Sequence, residues 1–136
     1  MSMVRPFPLA RRLMPLLLLA CAGAALAQNV SFAEPKDGAA VGSTFKVRLD
    51  VKGLKLAPAG EAQAGSGHHH LLVNQEPVAA GEEIPFTRRH IHLNKGQSEI
   101  ELTLPPGTYK LTAQAGDGTH KSLGPAYSQT ITVTVK

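Results

Sequence analysis

Six histidines carry the chemistry that this sequence can offer. They fall in three places: His68-His69-His70, His90-x-His92 and His120. In an extended chain, residues two apart share a face. Their Cα atoms then lie about 6.5–7 Å apart. Two imidazoles leaning together from such positions can meet at one ion, with metal–nitrogen bonds of about 2.0–2.1 Å. His68 with His70 has this spacing, and so does His90 with His92. Two such pairs on neighbouring strands would supply up to four ring nitrogens, and His120 one more from a loop. His69 is out of phase with its neighbours and in phase with Leu71 and Val73, which assigns it to a packed face. The expected metal ligands are therefore His68, His70, His90, His92 and His120.

Imidazole donors suit Zn(II), Cu(II) and Ni(II). No Cys or Met follows residue 27, so a Cu(I) site built on soft ligands is excluded there. The expected cofactor is a divalent transition metal, copper or zinc. Catalysis would need an open coordination position and an acid or base beside it. Asp117, Glu82 and Glu83 are the carboxylates near the histidines, and they read as solvated loop residues. There is no serine elbow, no catalytic cysteine and no phosphate-cradling glycine loop. Binding is thus favoured over catalysis, with metal carriage, buffering or sensing as the role. The alternative is a metal-free binding or structural module, in which the histidines form a polar network or line a ligand pocket.

These residues need a scaffold, and the pattern around them is that of strands. Phe45, Val47, Leu49 and Val51 alternate with Lys46, Arg48, Asp50 and Lys52. Ile100, Leu102 and Leu104 alternate with polar residues, as do Tyr109, Leu111 and Ala113. Ile131, Val133 and Val135 alternate with threonines near the end of the sequence. Such a period of two is the mark of half-buried strands. Shorter strands are expected at Val30 to Ala33, Ala40 to Val41, His68 to Val73 and His90 to Leu93. Pro35-Lys36-Asp37-Gly38, Pro105-Pro106-Gly107 and Gly116-Asp117-Gly118 mark turns. Residues 57–66 and 75–87 read as loops. About seven or eight short strands predict an all-β fold: a single antiparallel β-sandwich of immunoglobulin-like type. A small jelly roll is the alternative.

The first 27 residues read differently. Arg5, Arg11 and Arg12 precede an apolar run from Leu13 to Ala25, and Ala25-Leu26-Ala27 fits the small-x-small rule of a signal peptidase. The sequence therefore divides into a signal peptide, 1–27, and a domain, 28–136, exported to the periplasm. Leu18-Leu19-Ala20-Cys21 loosely matches a lipoprotein signal, but the site after Ala27 is better formed. The apolar run is too short for a membrane span. Residues 28–136 hold eleven Lys and Arg against ten Asp and Glu, with no basic run. That balance gives no electrostatic reason to expect nucleic acid as a partner. The expected partners are a metal ion and another periplasmic protein.

The histidine motifs also carry a family resemblance. Gly67-His68-His69-His70-Leu71-Leu72-Val73-Asn74 resembles the Gly-His-His-His-Leu-Leu signature of the bacterial domain of unknown function 4399 family. Ala57-Pro58-Ala59-Gly60 precedes it. His90-Ile91-His92-Leu93-Asn94-Lys95-Gly96-Gln97-Ser98-Glu99 is similar to a later block, Pro106-Gly107 opens the next strand, and Asp117 with His120 follows. The resemblance implies a small exported domain and assigns no activity. One departure stands out: this chain has Tyr109 where the family tends to have histidine after Pro-Gly-x.

Overall fold

The computed structural model describes Met3 and residues 28–136. The expected signal peptide and Cys21 lie outside the described residues. The fold is all-β, with nine strands among the described residues: β1 (Val30–Glu34), β2 (Ala40–Val41), β3 (Thr44–Val51), β4 (Lys55–Leu56), β5 (Ser66–Val73), β6 (His90–His92), β7 (Glu99–Thr103), β8 (Gly107–Gly116) and β9 (Ser128–Val135). A 3-10 turn, Pro125–Tyr127, precedes β9.

The strands form two sheets. One has the order β1-β3-β7, and the other β2-β9-β8-β5-β4 with β6 also paired to β5. The alternating strands bury one face each. Phe45, Val47 and Leu49 of β3 are buried while Lys46, Arg48 and Asp50 are exposed. Each such side chain contributes about 1.5–3 kcal/mol by leaving water. Phe32, Val47, Leu49 and Leu102 from the first sheet share one core cluster with Leu71, Leu111, Ala113 and Val133 from the second.

Two pairings depart from the antiparallel expectation. β2 runs parallel to β9, and β4 runs parallel to β5. Each of these strands has only two residues, too few for a period of two to be visible. β4 occupies residues that sequence pattern leaves unassigned. β2 follows β1 but pairs in the other sheet, so the chain switches sheets there.

β5 is the strand that matters for function. It lies between β8 on one side and β4 and β6 on the other. Every residue from Gly67 to Val73 is buried. His69, Leu71 and Val73 point to the inter-sheet side, where Leu71 and Val73 join the core cluster. His68, His70 and Leu72 point to the opposite face. There Leu72 and Ile84 are fully buried outside that cluster.

Candidate metal centre

The register of three strands and one loop builds the site. His70 lies opposite His92 on β6 and opposite Gln114 on β8. Paired residues share a face, so His68, His70 and His92 project to the same side of the sheet. His120 reaches them from the loop between β8 and β9. One nitrogen from each of His68, His70, His92 and His120 lies within 4.8 Å of all the others.

The centre of the group is His120 Nδ1. It is 3.0 Å from His68 Nε2, 3.3 Å from His70 Nε2 and 3.0 Å from His92 Nδ1. The far nitrogens of two rings are already committed. His70 Nδ1 lies 3.2 Å from the Gln114 carbonyl oxygen, and His92 Nε2 lies 2.8 Å from that of Pro85. A carbonyl only accepts, so each of these ring nitrogens carries the hydrogen and donates it. His70 Nε2 and His92 Nδ1 are therefore left as lone pairs, both facing His120. Carbonyl partners that fix the tautomer in this way are typical behind histidine metal ligands.

His120 owes its position to a tightly tied loop. Its φ of 66° is in the left-handed region, where histidine occurs more often than most residues. Asp117 braces the turn: its Oδ1 accepts from Thr119 N, Thr119 Oγ1 and Lys121 N at 2.8, 2.8 and 3.0 Å. Ile84 N donates to the His120 carbonyl at 2.8 Å, and Gly60 N to the Gly118 carbonyl at 2.9 Å. Three loops thus converge on this ligand. Asp117 is a structural brace for the ligand loop rather than an ordinary solvated carboxylate.

Burial governs the protonation of the cluster. The pKa of His68 falls from 6.5 to about 4, through burial first and then through the neighbouring His120 and His92. That of His70 falls to about 2, again through burial and then through the other imidazoles. His120 is also lowered, by burial and by His92. Depressed values keep ring lone pairs free at neutral pH.

The five expected ligands thus divide. Four come together, and His90 stands apart. β6 places His90 opposite Leu72, two positions along the strand from His92, and its Nδ1 pairs with the Thr87 hydroxyl at 2.7 Å. The spacing that put His90 and His92 on one face is met, but only His92 is in register with His70. His69 has no exposed surface and faces the inter-sheet core. Tyr109 lies outside the cluster, its hydroxyl donating to the Pro105 carbonyl at 2.7 Å.

Three contributors have no signature in the sequence. Phe86, 61% exposed, stacks on His92 with ring centroids 4.1 Å apart and meets His120 edge-on at 4.8 Å. Gly116 leaves room for His70, since a Cβ there would lie 2.8 Å from His70 Cε1. The carbonyls of Pro85 and Gln114 orient the rings. Phe86 is simply an aromatic residue in the loop four positions before β6, and nothing in the sequence ties it to the histidines.

The family Domain of unknown function (DUF4399) matches residues 47–136, a stretch that holds all four clustered histidines. No curated protein and no solved structure matches the chain.

Proposed function

The chain belongs to the DUF4399 family, and we propose that its domain binds a divalent transition metal through His68, His70, His92 and His120, as a carrier, buffer or sensor. One observation carries this reading. Three ring nitrogens lie within 3.3 Å of His120 Nδ1. An imidazole nitrogen offers one hydrogen or one lone pair in the ring plane, so it satisfies one of them by hydrogen bonding. The lone pairs of His70 and His92 cannot bond to each other. A cation among the four nitrogens, which span up to 4.8 Å, would satisfy all of them once the farthest pair draws in to the roughly 4.1 Å that two bonds of about 2.05 Å reach.

The metal-free network accounts for the bonds to Pro85 and Gln114 but not for that convergence. Catalysis has less support, because the four imidazoles fill a four-coordinate shell and the Asp117 carboxylate is engaged in its own loop.

Two further readings accompany this one. The two sheets belong to an immunoglobulin-like sandwich. Its support is Tyr109, near the start of the penultimate strand, whose hydroxyl bonds back to the backbone four residues upstream. That is the pattern of a tyrosine corner. Residues 1–27 act as a signal peptide that delivers the domain to the periplasm, where the metal and another periplasmic protein are its partners.

The test is zinc and copper(II) titration of the purified 28–136 domain by calorimetry. The unaltered domain should bind one ion. His92→Ala should weaken binding by more than the roughly 10–100-fold typical of losing an outer-shell partner. His90→Ala should leave it unchanged. Absence of stoichiometric binding would overturn the metal reading.

A further inference from the structure

We infer that the site selects a tetrahedral ion, zinc(II) over copper(II), and that His120 is the residue that sets this preference. The inference rests on the metal reading of the cluster and adds the geometry of the ion it takes.

The distances around His120 Nδ1 discriminate between tetrahedral and planar geometries; the other nitrogen pairs, up to 4.8 Å apart, would have to draw in around either ion. With bonds of about 2.05 Å, two nitrogens of a tetrahedral ion are about 3.3 Å apart. In a planar four-nitrogen site with the same bonds, each nitrogen has two neighbours near 2.9 Å and one opposite partner near 4.1 Å, again by simple geometry on about 2.05 Å. His120 Nδ1 has three partners at 3.0, 3.3 and 3.0 Å. None of them stands opposite it. A planar arrangement of these four nitrogens is therefore incompatible with the place of His120. Copper(II) and nickel(II) favour square-planar or tetragonal nitrogen sites, whereas zinc(II) imposes no such preference and is commonly tetrahedral.

The other three ligands alone would not decide the matter. His68, His70 and His92 lie on two adjacent strands of one sheet and face one side. His120 comes out of the loop after β8 and brings Nδ1 within 3.3 Å of all three. Its backbone conformation, its Asp117 brace and the bond from Ile84 N fix where Nδ1 sits. Selectivity arises here because the fourth donor is aimed by a rigid loop and not by the sheet.

Cobalt(II) reports this geometry directly, since a tetrahedral ion absorbs visible light strongly and a six-coordinate ion only weakly. The 28–136 domain would be titrated with cobalt(II) and followed by both calorimetry and visible absorption. The expected result is stoichiometric binding with intense visible bands that zinc(II) abolishes by displacement. His120→Asn, which suits the left-handed backbone at that position, should fold, retain cobalt(II) more weakly and lose the intense bands. A melting curve for that variant shows whether it folds. Stoichiometric cobalt(II) with only weak absorption would overturn the tetrahedral inference and leave the metal reading standing. Binding of neither cobalt(II) nor zinc(II) would overturn both.

Discussion

His70 donates its Nδ1 hydrogen to the carbonyl oxygen of Gln114, 3.2 Å away on the neighbouring strand. This bond does two things. It satisfies a donor that is wholly buried, and it fixes the tautomer that turns the Nε2 lone pair toward His120. The strand register therefore sets the electronic state of a ligand as well as its position.

Gly116 keeps that arrangement possible. A Cβ at this residue would lie 2.8 Å from His70 Cε1, 3.1 Å from Ile84 Cδ1 and 3.3 Å from His70 Nδ1. Gly116→Ala should therefore displace the His70 ring. Overpacking of this kind costs about 1–3 kcal/mol, measurable by urea unfolding of the metal-free domain. Metal affinity should fall by roughly 10–100-fold, as when an orienting partner is lost. Unchanged affinity in calorimetry would show that the aim of His70 is not needed for binding.

Acid should destabilise the metal-free domain, and the sign follows from the lowered pKa values. His68 and His69 fall to about 4 and His70 to about 2, in each case chiefly through burial. In the unfolded chain these histidines protonate near 6.5. Above that value both states are neutral and the three groups make no difference. Between 6.5 and 4 the unfolded state takes up protons that the folded state refuses, so stability falls with falling pH. His70 continues the loss below 4. Each histidine costs up to about 1.4 kcal/mol per pH unit in its window. Because burial lowers the pKa of His68, His70 and His120, protons should compete with the metal less as the pH falls than they would at free imidazoles. Thermal unfolding of both forms at pH 7.5, 5.5 and 4.5 checks this; a metal-free domain equally stable at all three would contradict the assignment of buried neutral histidines.

His69 offers a test of the core. It has no exposed surface, and neither ring nitrogen has a partner among the described residues. An unmet buried polar group costs about 1–3 kcal/mol. His69→Leu should therefore raise stability by about 1 kcal/mol, with metal binding unchanged. The urea midpoint at constant slope reports it. A marked loss of stability would show that the His69 nitrogens hold a partner, such as a buried water.

Much of this protein is written in its sequence. Alternation at Phe45 to Val51, Ile100 to Leu104 and Ile131 to Val135 marks strands, because a half-buried strand must present apolar residues at every second position. The spacing of His68 and His70 places both on one face for the same reason, and puts His69 on the other. β5 itself hides its period, because loops cover its outer face and both sides are buried.

Tertiary structure decided the rest. His90 and His92 share a face by parity, yet only His92 lies opposite His70, and that register is set by how β6 docks on β5. His120 becomes the centre of the cluster through a loop whose direction depends on Asp117 and on a bond from Ile84. The carbonyls of Pro85 and Gln114 orient two of the rings, and every residue has a carbonyl, so no residue type announces that role. A sequence determines which side chains can coordinate and which face they take. The fold determines which nitrogens meet, because convergence at about 3 Å requires contacts between segments far apart in the chain.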